Sequence, residues 1–214
     1  MTKKEAEVNI DFDVVEHFGK EWHSFDQSGL SESDNISEFN KYFNIFPWEL
    51  LPDNSVGFDA GCGSGRWAKF VAPKVFKLNC IDPSAAIEVA KKNLNHHENC
   101  VFYQSSVSDM PFPNESMDFG YSLGVLHHIP DTQKGLIDCV VKLKKGAPFL
   151  LYLYYSFDNQ PRWYKWLWHL TDIIRRLVYK LPHRLKLIIC FYFAIFLYYP
   201  LSRMAKIIEM IGIS

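Results

Sequence analysis

The stretch Asp59-Ala60-Gly61-Cys62-Gly63-Ser64-Gly65 constrains this chain more than any other. Its glycines follow an apolar run, 56–60, and precede a segment patterned as a helix. Glycine adopts backbone angles closed to other residues and lets the main chain approach a ligand with no Cβ in the way. A strand that turns through such a loop into a helix opens a βαβ unit, and such units hold a ligand against the loop. Two phosphate-binding forms of the loop fail. Counted from Gly61, the GxGxxG spacing puts its third glycine on Arg66, and no Gly-Lys-Ser/Thr follows. A nucleotide-like ligand without a phosphate to hold is implied.

The pattern downstream continues the unit. Residues 76–81, 101–104, 118–123 and 148–155 read as strands. Residues 66–72, stopped by Pro73, and 84–94, with Ser84 as N-cap, read as helices. So does 132–145, with Leu136, Val140 and Leu143 on its inner face and Gly146 as C-cap. Apolar strands alternating with amphipathic helices predict an α/β fold, a Rossmann-like parallel sheet with helices on both faces. Aromatics at 39, 42, 43, 46 and 48 are spaced as a helix that ends at Pro52. The expected division is an N-terminal arm over 1–38, a ligand-binding core over 39–155 and a helical, aromatic-rich segment over 156–214. Asp82 ends the second strand, 21 residues after Gly61. A carboxylate there can accept hydrogen bonds from both hydroxyls of a ribose.

Four blocks in order resemble successive motifs of class I methyltransferases that use S-adenosyl-L-methionine (SAM), the type 11 group that includes quinone-biosynthesis-like enzymes. They are Asp-Ala-Gly-Cys-Gly-Ser-Gly, Ile-Asp-Pro-Ser, Asp-Met-Pro-Phe-Pro-Asn-Glu-Ser-Met-Asp and Gly-Val-Leu-His-His-Ile-Pro-Asp. The resemblance covers about 56–150. A short block, Phe18-Gly19-Lys20-Glu21-Trp22, is similar to an N-terminal motif of some members. The resemblance implies SAM as cofactor. It implies that Asp59, Gly61, Cys62 and Gly63 cradle the methionine part, that Asp82 holds the ribose, and that Pro83 and Ser84 lie along the adenine. Leu123 would lie near the methionyl chain, and Ser106 and Val107 at the adenine edge. Ser106 stands where the family pattern carries an aspartate, and Asp109 is the nearest carboxylate that could replace it. His128, after the fourth strand, is the candidate catalytic residue, either as a proton acceptor or as a shaper of the pocket.

The antiparallel hairpin that usually closes the family's sheet has no counterpart after residue 155. A shortened chain or a variant with helices in its place is expected. Residues 162–181 carry an apolar stripe (Trp163, Trp166, Leu170, Ile174, Leu177) opposite a polar face, and Pro182 and Pro200 are expected to cut the segment into three helices. The run 187–199 is shorter than the roughly 20 residues of a membrane-spanning helix. Charge is uneven: residues 1–60 hold 13 acids against 4 Lys/Arg, and 161–206 hold 9 Lys/Arg against Asp172 alone. Three readings of this basic, aromatic segment stay open: a lid over a lipophilic acceptor, attachment to a membrane surface, or a core or homo-oligomer interface. Nucleic acid is not expected as a partner, because the basic residues are interleaved with long aliphatics. Five scattered cysteines without a CxxC pair and a polar N-terminus point to the cytoplasm, peripheral at the membrane in the second reading, with no metal. The expected function is SAM-dependent methyl transfer to a small, lipophilic acceptor. The alternatives are SAM binding without turnover, or a membrane-associated interaction protein.

Overall fold

The computed structural model describes residues 9–24, 31–154 and 160–210. The chain divides into two compact units, Met1–Tyr154 and Tyr155–Ser214. The first contains helices α1 (Phe12–Ser24), α2 (Glu32–Phe43), α3 (Ala68–Val71), α4 (Ala86–Asn93) and α5 (Thr132–Val140). Its strands are β1 (Val56–Ala60), β2 (Lys77–Ile81), β3 (Cys100–Tyr103), β4 (Phe119–Leu123) and β5 (Phe149–Tyr152). All five pair in parallel in the order β3-β2-β1-β4-β5. This is the expected Rossmann-like sheet, and no strand follows β5 among the described residues.

The sheet is buried on both faces. Phe39, Phe43, Leu78, Ile87, Phe119 and Tyr121 pack on one side. Phe58, Ile81, Met110, Leu126, Cys139 and Leu143 pack on the other. Alternation along β1 and β4 assigns the sides, since successive strand residues face opposite ways. The central pair is interlocked. Gly57 pairs with Phe119 and Phe58 with Gly120. A Cβ on Gly57 would lie 2.3 Å from the Phe119 ring, and one on Gly120 would lie 2.5 Å from the Phe58 ring. Each phenylalanine thus occupies the space its neighbour leaves.

Several elements are shorter than their patterns. α4 begins at Ala86, not Ser84, yet the Ser84 Oγ still accepts from the Ala86 N–H at 3.1 Å. α2 ends at Phe43; Phe46 and Trp48 reach the same core through a turn and a 3₁₀ segment, Trp48–Leu50. The α-helix before Pro73 ends at Val71, and the proline lies in the 3₁₀ segment that follows, Ala72–Lys74, so the stop expected there is present. α5 ends at Val140 because Leu143 bridges to Met117 and the Lys144 N–H donates to the Met117 carbonyl at 2.9 Å. Leu143 is buried by that bridge, whereas Val140, expected on the inner face, is exposed.

The second unit is helical in its described part: α6 (Arg162–Tyr179), α7 (His183–Phe193), a π-helical turn (Ala194–Tyr198) and α8 (Tyr199–Met210). Pro182 separates α6 from α7 as expected. Pro200 does not break the chain's course: α7, the π-turn and α8 form one continuous helix. Proline clashes with the carbonyl four residues back and cannot donate to it. The π-turn just ahead, where the Tyr199 N–H reaches back to the Ala194 carbonyl, widens the helix and makes room for the ring.

Candidate active site

In the strand order, β1 is flanked by β2 on one side and β4 on the other, so the chain leaves the carboxyl ends of β1 and β4 in opposite directions. Ligands of open α/β sheets bind in the crevice at such a reversal. A cavity of about 510 Å³ opens there. Its floor is the glycine loop. The Gly61 and Cys62 N–H groups both donate to the Ile81 carbonyl, at 2.8 and 2.9 Å, which folds the loop back over the end of β2. Gly61 has φ +83° and Gly63 +52°, and a Cβ on Gly61 would lie 2.5 Å from Val125. Only glycine meets both demands at position 61.

Asp82 is buried at the edge of this floor. Its Oδ2 accepts from the Gly63 N–H at 2.9 Å. Its Oδ1 accepts from the Ser84 N–H at 2.9 Å and the Ser84 hydroxyl at 2.6 Å. Burial raises its carboxyl from the usual range, while the bonds from Ser84 and Gly63 draw it back. A carboxylate offers about four acceptor sites, so this one is fixed in place and retains capacity for a hydroxyl. The loop, the held carboxylate and the cavity volume therefore suit a nucleoside, and the residues present fit SAM.

Gly61, Cys62, Gly63, Asp82, Pro83, Ser84, Ser106, Val107, Leu123 and His128 all line the cavity. Asp59 is the exception among the expected residues. It lies beneath the loop, paired in register with Tyr121, and does not contribute to the lining. Burial pushes its carboxyl up to about 8, the Tyr121 hydroxyl draws it down, and Asp82 raises it further. Its Oδ2 has no hydrogen-bond partner in standard geometry among the described residues. Ser106 faces the cavity, but its hydroxyl already accepts from the Ser108 N–H at 3.2 Å. Asp109 does not line the cavity, so the loop does not bring it into the place of the family's aspartate.

The rest of the wall was not foreseen. Tyr42, Trp67, Tyr152 and Tyr154 line the cavity with His128. Tyr42 meets Trp67 and Tyr152, each at 5.1 Å between centroids, and Tyr152 meets Tyr154 at 6.1 Å. The His128 ring lies 5.0 Å from Phe18, edge to face, and 4.1 Å from His127. Burial lowers the pKa of His128 below the ordinary imidazole value, which leaves the ring neutral near pH 7. Arg66 also lines the cavity, with its guanidinium 4.5 Å over Trp67.

The N-terminal arm closes part of this wall. Phe18 comes from α1, which packs on α4. At Gly19 that helix passes close to Ser84, where a Cβ would make ordinary contact with the serine at 3.4 Å. Asn9 pins the start of the arm: its amide donates to the Asp131 carbonyl at 2.9 Å and accepts from the Asp131 N–H at 2.8 Å. Phe18 and Gly19 thus stand at the site; the side chains of Lys20, Glu21 and Trp22 lie outside the described residues.

Residues 58–151 match a family model described as a methyltransferase domain. Over 117 residues the chain is 27% identical to tRNA (carboxymethyluridine(34)-5-O)-methyltransferase of Saccharomyces cerevisiae, covering 50% of this chain and 40% of that protein. Over 104 residues it is 30% identical to the uncharacterized methyltransferase YcgJ of Bacillus subtilis, covering 47% of this chain and 41% of that one. The chain thus spans less than half the length of these curated relatives. A solved structure from Methanococcus maripaludis, assigned as an S-adenosyl-L-methionine-dependent methyltransferase, is 18% identical with a TM-score of 0.53. The match covers 92% of this chain and 84% of that one and is a likeness of fold.

Proposed function

We propose that this chain transfers the methyl group of SAM to a small, lipophilic acceptor, a reading that rests on the match of residues 58–151 to a methyltransferase domain and on the fit of the cavity to a nucleoside. One observation carries the reading: the cavity that presents Asp82 to a nucleoside is continuous with a wall of Tyr42, Trp67, Tyr152, Tyr154 and His128. Aromatic side chains with a few placed polar groups suit a flat apolar body that carries one reacting heteroatom.

SAM supplies a methyl group on a sulfonium, which leaves as a neutral thioether when the acceptor's lone pair attacks in line. The chain's part is placement. Asp82 anchors the ribose, the Gly61–Gly63 backbone supports the methionine part, and the aromatic wall excludes water and orients the acceptor. An acceptor that loses a proton on methylation can pass it to the neutral His128 ring. A quinol-like ring, with a hydroxyl that attacks and gives up its proton, is one acceptor of this kind, and the cytoplasm is the proposed compartment.

Incubation of the purified chain with methyl-labelled SAM and separate lipid, small-molecule and RNA fractions tests the reading. Label is expected in the organic-soluble fraction together with S-adenosylhomocysteine. Label in RNA instead would replace the small acceptor with the substrate class of the yeast relative. Binding of S-adenosylhomocysteine with no transfer to any fraction would leave a SAM-binding protein without turnover.

A further inference from the structure

We propose that the second unit is a lipid-embedded element, with the helix from α7 through α8 inserted across an anionic phospholipid bilayer and α6 lying in the headgroup layer beside it. Length is the first observation. Residues Leu185–Ile208 form 24 residues of unbroken, predominantly apolar helix, none of it buried. At 1.5 Å per residue this is roughly 36 Å, against about 30 Å of bilayer hydrocarbon. Pro200 had made the apolar run read as too short, and the π-turn that absorbs it restores the length.

Chemistry around the axis is the second observation. A helix of a water-soluble surface keeps one polar face. The segment from Leu187 to Ser202 contains no charged residue on any face. Phe191, Ile195, Phe196 and Tyr198 all stand exposed, Phe196 at 72%. Lys186 and Arg203 bracket the segment, and such long cationic side chains reach out to headgroups from helix ends. Hydrocarbon also demands that backbone groups be satisfied within the segment, which a continuous helix does.

The third observation is α6. Trp163, Trp166, Leu170, Ile173 and Leu177 form an exposed stripe, Trp166 at 79%. The opposite face holds Lys165, Arg175 and Arg176, and its one acid, Asp172, is paired with both arginines. A tryptophan-bearing apolar face backed by a basic one is the make-up of a helix lying in a membrane interface. Anionic lipid is the surface that complements 9 Lys/Arg against one acid over 161–206. Seven of those nine precede Leu187 and two follow Ser202. The excess of positive charge at its amino-terminal end holds that end on the cytoplasmic side.

The full chain is tested by flotation with vesicles of phosphatidylcholine and phosphatidylglycerol, followed by washes in high salt and in alkaline carbonate. It is expected to float and to survive both washes. Phe196→Arg places a charge at the middle of the segment and is expected to weaken partition about a hundredfold, whereas Phe196→Leu retains it. Thermal stabilisation by S-adenosylhomocysteine, equal in all three proteins, shows that each is folded and reads the proposed activity's site independently. Release by salt or carbonate, equal flotation of Phe196→Arg, or recovery of the chain in water as a monomer or as a discrete oligomer would each overturn the proposal.

Discussion

Asp82 is held by donors from its own neighbourhood, Gly63 and Ser84, before any ligand is present. Charge-assisted bonds to a ribose contribute about 1.5–3 kcal/mol each. Asp82→Ala should therefore weaken S-adenosylhomocysteine binding about tenfold or more by titration calorimetry; an unchanged affinity in a folded variant would remove Asp82 from the site. Asp59 makes a separate prediction. Its carboxyl is pushed up to about 8, from an ordinary 3.8. The folded chain then keeps a proton that the unfolded chain has released, so stability falls as pH rises through that window. The limiting slope is about 1.4 kcal/mol per pH unit. Asp59→Asn has no proton to lose, and its urea midpoint should decline less than the wild type's between roughly pH 5 and pH 8. Parallel declines would contradict the assignment. His128 works in the opposite sense. Its neutral form is the acceptor, and burial keeps it neutral to lower pH than a free imidazole. If the ring takes the acceptor's proton, the acid limb of kcat should lie below pH 6.5 and vanish in His128→Asn, with a loss of about a hundredfold or more.

At the scale of elements, the Asn9–Asp131 pair pins the start of the arm to the core, ahead of the packing of α1 on α4. Asn9 has φ +51°, a conformation asparagine tolerates better than most residues. Asn9→Gly keeps that backbone and removes the amide, leaving the Asp131 groups unpaired at about 1–3 kcal/mol. The variant should be cleaved faster by protease within α1 and should regain protection with S-adenosylhomocysteine; wild-type protection without ligand would show that the clamp is dispensable. The strands and the glycine loop were legible because period and loop chemistry are local. The four parallel crossings need only apolar runs, and the residues around Gly61, Asp82 and Leu123 lie directly at strand ends. Asn9 was not legible, since its partner lies 122 residues away and a lone polar residue in a polar arm carries no pattern. Neither was the aromatic wall, whose members come from α2, α3's approach and β5. The end of α5 was misjudged because Leu143 fits a helical stripe as well as it fits the bridge to Met117. Pro200 was misjudged because the rule for proline assumes an α-helical neighbour, and the chain supplies a π-turn.

At the scale of the whole molecule, every cavity-lining residue among the described ones precedes Tyr155. Residues 1–154 expressed alone should bind S-adenosylhomocysteine within about twofold of the full chain, whatever the second unit does at a membrane. A tenfold loss would show that the helices contribute to the site. The interlocked glycine–phenylalanine pairs of β1 and β4 also set an order of events in folding. β1 meets β2 about 20 residues on, but its register with β4 joins Gly57 to Phe119, 62 residues apart. Longer closures are slower to form, and two rings that must seat in two gaps leave no tolerance for a slipped register. The crevice exists only once that seating is complete. The capacity to bind a nucleoside should then be acquired last during refolding, lagging the recovery of helical and strand signal.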